Sequence, residues 1–156
     1  MKNFQNKTKI IKVSRQLRAV ARLAIIAWVL GIVTFLLALS AGLRDGGNER
    51  TIYLALGGLT EMGLAIVISL NFFRFFDRLK NGELFDAKTV GHLYSAGRWW
   101  LGYWVVDCLF IFIGNGSLGT KMAYSGGQLF ASLVVIFVAW LLKEAQELQT
   151  DQTLTV

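Results

Sequence analysis

From Leu23 to Leu43 the chain reads Leu-Ala-Ile-Ile-Ala-Trp-Val-Leu-Gly-Ile-Val-Thr-Phe-Leu-Leu-Ala-Leu-Ser-Ala-Gly-Leu, without a charge or a proline. At about 1.5 Å rise per residue, a helix of about 20 residues crosses a hydrocarbon core of about 30 Å. Lipid offers no partner to a backbone N–H or C=O, so a run of this kind must satisfy its own hydrogen bonds, which a helix does. A strand would need a shorter segment or a two-residue alternation, and neither is present.

Three further runs share these properties, at roughly 52–73, 99–118 and 123–142. Together with 23–43 they predict an all-α fold. The expected architecture is a four-helix transmembrane bundle in a single domain, 1–156. Composition points the same way. The chain is 54% hydrophobic and only 17% charged, with mean hydropathy +0.51; soluble domains carry about 25% charged residues. A chain this short cannot bury so much apolar surface within itself. Proline, which kinks helices, is absent. The single cysteine, Cys108, excludes an intrachain disulfide framework and a cysteine-based zinc cluster.

The net charge of +6 belongs to the ends of the runs. Seven Lys and Arg precede the first run, five lie between the second and third, and Lys143 follows the fourth; Arg44, Arg50 and Lys121 lie on the opposite side. That asymmetry predicts cytoplasmic termini and a cytoplasmic middle connection. It reads as membrane orientation and contact with anionic lipid. Nucleic-acid binding, the other common reading of a basic chain, is not expected. The Ala38-Leu39-Ser40 triplet loosely resembles a signal cleavage site. The run before it is longer than a signal peptide's apolar core of about 7–15 residues, so retention as a span is expected.

Within the N-terminal segment, Ile10, Val13, Leu17, Val20 and Ala24 recur at spacings of three and four, a basic amphipathic helix leading into the first run. Lys9, Lys12, Arg15, Arg18 and Arg22 are its candidate membrane-surface contacts. In the middle connection the second helix should end near Asn81-Gly82, where glycine accepts a left-handed cap. Asp86 is then a suitable N-cap for a short interfacial helix, with Phe85 and Val90 at the spacing of a hydrophobic staple. Val90, Leu93 and Tyr94 would form an apolar face against headgroups. Trp99, Trp100, Tyr103 and Trp104 follow, as expected where a helix enters the membrane. His92 titrates in the right range for a pH sensor, although a lone interfacial histidine is more often simply solvated. After Leu142 the tail is polar and should prolong the fourth helix.

The stretch Phe75-Phe76-Asp77-Arg78-Leu79-Lys80-Asn81-Gly82-Glu83-Leu84-Phe85, the helix start after it, the closing Leu154-Thr155-Val156 and four spans together resemble the YoaS-like small bacterial membrane proteins, a family defined by a domain of unknown function. Where a Thr-Pro pair often opens the helix in that family, Asp86-Ala87 stands here; aspartate still caps, without proline's rigidity. The resemblance implies a bacterial inner-membrane protein, sometimes encoded near a small helix-turn-helix regulator. It implies no reaction and no catalytic residue.

Two acids interrupt the runs. Glu61 in the second and Asp107 in the third both fall near the bilayer centre, where ionisable groups are costly and become functional candidates. No Lys or Arg lies at that depth. Gly58, Glu61, Ala65 and Phe72 trace one helical face; Tyr103, Asp107, Phe110 and Gly114 trace another. If these faces meet, the two carboxyls are candidates to share a proton, with Tyr103 one turn away and Asn71 nearer the inner end. Interhelical hydrogen bonding, worth about 0.5–2 kcal/mol per contact in membranes, is the plainer use of such groups. Small residues form stripes on the first helix (Ala24, Ala27, Gly31, Thr34, Ala38, Ala41) and the fourth (Gly127, Ala131, Val135, Ala139), suited to close helix approach within the bundle or between copies.

Gly114-Asn115-Gly116-Ser117-Leu118-Gly119-Thr120-Lys121 is not a phosphate loop, because Lys should follow the last Gly directly and precede Ser or Thr. Cys108 and His92 make no catalytic pair. No catalytic residue, cofactor or metal is expected. The functional expectation is a small regulatory or interaction subunit of the inner membrane, with the bilayer, a cytoplasmic or membrane protein and a second copy as candidate partners. The alternative is a proton- or cation-linked transporter component using Glu61 and Asp107.

Overall fold

The computed structural model describes residues 2–44, 49–83, 86–113 and 118–154. They form four α-helices: α1 (Lys2–Arg44), α2 (Glu49–Lys80), α3 (Ala87–Ile113) and α4 (Leu118–Leu154). Among the described residues there is no strand. The apolar stretches Ile10–Gly42, Ala55–Lys80 and Gly126–Asp151 are long and apolar enough to cross a membrane.

Each helix packs on its chain neighbours alone: α1 on α2, α2 on α3, α3 on α4. Antiparallel order follows from named contacts. Arg18 meets Asp77 and Phe35 meets Gly58 across α1 and α2. Gly57 meets Phe110 and Phe72 meets Trp100 across α2 and α3. Gly97 meets Ile136 across α3 and α4. The four-helix bundle is therefore open. Among the described residues α1 and α4 do not meet.

The buried centre lies at the end shared by the α2–α3 turn and the tail of α4. Phe75, Leu93 and Ala139 are buried together, flanked by Phe72, Phe76, Leu79, Val135 and Leu142. Gly97 allows the closest approach of α3 and α4. A Cβ there would stand 2.6 Å from Ile136 Cγ1 and 3.1 Å from the Ile136 backbone nitrogen.

The turn between α2 and α3 folds as its residues dictate. Gly82 takes φ 85°, the left-handed region. Gly82 N–H donates to the Leu79 carbonyl (3.0 Å) and Glu83 N–H to that of Arg78 (3.2 Å), the paired bonds of a Schellman cap. Val90 N–H donates to the Asp86 carbonyl (3.1 Å), so Asp86 is the N-cap of α3. Its side chain, however, accepts a hydrogen bond from Arg78 across the turn. Phe85, the expected staple partner, lies outside the described residues.

Two expectations change. The interfacial piece is not a separate helix: it is the start of α3, continuous with the apolar part. Nor do Val90 and Leu93 face headgroups. Both are buried, Leu93 against Phe75 of α2 and Ala139 of α4 and Val90 beside Ala139 and Lys143, and only Tyr94 of that trio is exposed.

Candidate functional site

The most constrained polar group in the middle of the bundle is built by α2 and α3. On α2, Gly57, Glu61, Ala65, Ile68 and Phe72 recur at spacings of three and four, and therefore share a face. Gly57 and Phe72 both touch α3, so Glu61 between them faces α3 as well. On α3, Trp100, Tyr103, Asp107 and Phe110 form a stripe by the same rule, and its two end members touch α2. The contacts Gly57–Phe110 and Phe72–Trp100 set the register. Between them, Glu61 and Asp107 come to the same level on facing stripes, with Tyr103 one turn further along α3. All three are half-buried.

Asn71 does not join them. It lies ten positions beyond Glu61, about 15 Å along the helix. Its amide donates to the Val67 carbonyl of its own helix (2.9 Å). Asn71 is buried, and the backbone bond is how that polar group is tolerated.

A second polar layer joins α1 to α2. Arg18 Nη1 lies 2.9 Å from Asp77 Oδ1, and Lys80 reaches the same oxygen at 3.9 Å. The guanidinium groups of Arg18 and Arg22 lie over the Phe73 ring, 5.2 and 5.5 Å from its centroid. Two of the five candidate lipid contacts thus turn onto the protein, while Lys12 and Arg15 remain exposed. The side chain of Lys9 lies outside the described residues. Ser14, fully buried, donates to the Ile10 carbonyl (2.7 Å). Arg78 completes the layer on the far side of α2, paired with Glu83 at 3.2 Å and with Asp86. His92 sits beside this cluster. Burial first, then the charges of Arg74 and Arg78, hold its imidazole below the ordinary value of 6.5.

Sequence reasoning missed one pair. Trp104 Nε1 and Gln128 Oε1 are both buried without a hydrogen-bond partner among the described residues. The Gly97–Ile136 contact brings them to similar depth on the facing sides of α3 and α4. One is a donor and the other an acceptor. The only signal in the sequence was an uncharged amide inside an apolar run.

Among the described residues, no group of three or more His, Cys, Asp or Glu could hold a metal ion. No family model matches the chain, and neither the curated proteins nor the solved structures include a significant match.

Proposed function

We propose that this chain is a small inner-membrane regulatory or interaction subunit that crosses the bilayer four times with both termini in the cytoplasm. The observation that carries the reading is the one-sided packing of α1. It touches α2 alone, and none of its apolar window is buried inside the protein. The small residues Ala27, Thr34, Ala38 and Ala41 stay exposed beside the α2 contact. Small residues let a further helix approach closely, which favours a membrane partner or a second copy on that face. Orientation rests on the Lys and Arg asymmetry. The resemblance to the YoaS-like proteins supports the bacterial inner membrane.

The experiment is in-membrane crosslinking from α1, using a photoreactive residue at Ala38, followed by stringent purification. A discrete adduct is expected, either with a second copy or with a defined membrane protein. Adducts with lipid alone would remove the reading.

A second reading is favoured by a separate observation, the shared level of Glu61 and Asp107 on facing stripes. A carboxyl pair there suits a proton- or cation-linked transport component. It predicts a proton-linked flux in proteoliposomes that Glu61→Gln and Asp107→Asn each abolish. Absence of flux from the wild-type protein would leave the acids to structural hydrogen bonding.

A further inference from the structure

An open groove of about 420 Å³ runs between the first turns of α3 and the polar end of α4, within the range of about 300–1,000 Å³ typical of ligand sites. Its two ends differ. The antiparallel register puts Tyr94, Ala139 and Trp140 at the end nearer the apolar part of the bundle. Lys143 and Gln146 stand at the outer mouth, opposite Val90 and Ala87. Midway, Gly91 leaves the wall bare: a Cβ built there meets nothing within 4 Å. The groove is thus apolar inside and polar outside along one axis.

Two cations border it. Lys143 lines the mouth, and its only described ion pair is a loose one with Glu147, 3.5 Å away and solvent-exposed on both sides. Arg98 stands one turn beyond Tyr94 on α3, its guanidinium 6.0 Å from the Tyr94 ring centroid. A long basic side chain that lays its stem on apolar surface and turns its head to the interface is the usual snorkelling arrangement. Arg98 also lines an adjoining hollow with Ser95 and Trp99.

We infer that this groove binds one anionic glycerophospholipid of the cytoplasmic leaflet, its acyl chain along Gly91 and Trp140 and its phosphate at Lys143 of the mouth. Three features on the page select that occupant. The polarity gradient runs in the direction of a lipid lying with its headgroup at the cytoplasmic surface. The bordering charges are positive, and an exposed pair such as Lys143–Glu147 yields readily to a phosphate. The tryptophan and tyrosine lie at the depth where such rings meet headgroups. The site does not depend on the partner proposed for α1; it requires only that the chain lie in a membrane.

The test is native mass spectrometry of the full-length chain, delipidated in detergent and titrated with dioleoyl phosphatidylglycerol or dioleoyl phosphatidylcholine. One tightly held phosphatidylglycerol is expected. Each bordering cation is worth roughly fivefold in affinity for an anionic lipid. Lys143→Gln should lose about that factor for phosphatidylglycerol, Arg98→Gln, outside the lining, less than that, and both should change phosphatidylcholine less than phosphatidylglycerol, because its choline offsets the phosphate charge. Gly91→Leu fills the wall and should weaken both lipids. Lys143 is exposed, so its variant keeps the proposal testable if Gly91→Leu does not fold. Arg44→Gln, exposed at the far end of α1, serves as the control and should change neither. Equal binding by wild type, Lys143→Gln and Arg98→Gln overturns the proposal. Displacement of the lipid by free glycerol phosphate would also overturn it, since the ligand would then be a phosphate and not a lipid.

Discussion

The first helix and the α2–α3 turn both combine basic residues with bulky apolar ones, but they use them differently. Along α1, Val20, Leu23, Leu30 and Leu37 are exposed and the helix has one neighbour. Around the turn, Phe75, Val90, Leu93 and Thr89 are buried, and Arg78 and Asp77 are tied to named partners. The difference shows where specificity resides in an open bundle. In lipid an apolar side chain gains little by moving from solvent to neighbour, so helix association depends on fit and on polar contacts. The turn has both. Most of α1 has only the solvent that its composition demands.

The largest effect should break this contrast at Gly97. A side chain there meets the backbone nitrogen of Ile136 as well as its Cγ1, and backbone cannot step aside as a flexible side-chain tip can. Overpacking of this kind costs about 1–3 kcal/mol. Gly97→Val is expected to lower the unfolding free energy in detergent by that much. Gly31→Ala on α1, where the added methyl meets open space, should stay within about 0.5 kcal/mol of wild type. Equal losses at both positions would mean that α1 is covered in the folded protein, by a second copy or another chain.

A smaller effect should come from the pair that ties α1 to the frame. Arg18 and Asp77 are partly exposed, and pairs of that kind are worth about 0–1 kcal/mol after solvent screening. A double-mutant cycle with Arg18→Gln and Asp77→Asn is expected to return a coupling inside that range. The cation–π contact with Phe73 should survive Asp77→Asn. A coupling of several kcal/mol would show that the joint is far drier than its exposure suggests.

The buried Trp104–Gln128 pair sharpens the comparison on the other flank. A buried polar group without a partner carries its full desolvation cost, about 1–3 kcal/mol. Gln128→Leu removes the unpaired oxygen at similar volume. It should therefore leave stability unchanged or raise it, measured against Gln128→Asn. A clear loss would indicate that water or a ligand bridges the two side chains.

Legibility in the sequence followed the same division. The all-helical fold, the Gly82 cap and the Asp86 N-cap were all readable, because each is a local rule acting on adjacent residues. The meeting of the Glu61 and Asp107 faces was readable as a condition, since helical period fixes which residues share a stripe but not which helix lies opposite. Val90 and Leu93 were misplaced because their burial depends on which residues of α2 and α4 stand against them, a tertiary fact. Arg18 and Arg22 were assigned to lipid for a similar reason: nothing local says that Phe73 and Asp77 of another helix stand beside them. The open outline was not readable at all, because a stripe of small residues looks the same whether it is covered or bare.

The smallest expected effect concerns His92, at the edge of the buried turn. Its imidazole titrates below the ordinary 6.5, through burial and the positive charges of Arg74 and Arg78. As pH falls through 6.5 the unfolded chain takes up the proton before the folded one does. Stability should therefore be flat above that pH and decline from there down to the lowered folded value, then level off. His92→Gln removes the titration and should flatten that decline. If the variant keeps the wild-type pH dependence below 6.5, His92 is not its source. The turn would then be held by its ion pairs alone. If the decline disappears, the crowding of Arg74, Arg78 and His92 sets a lower pH limit on the one joint that every helix of the frame depends upon.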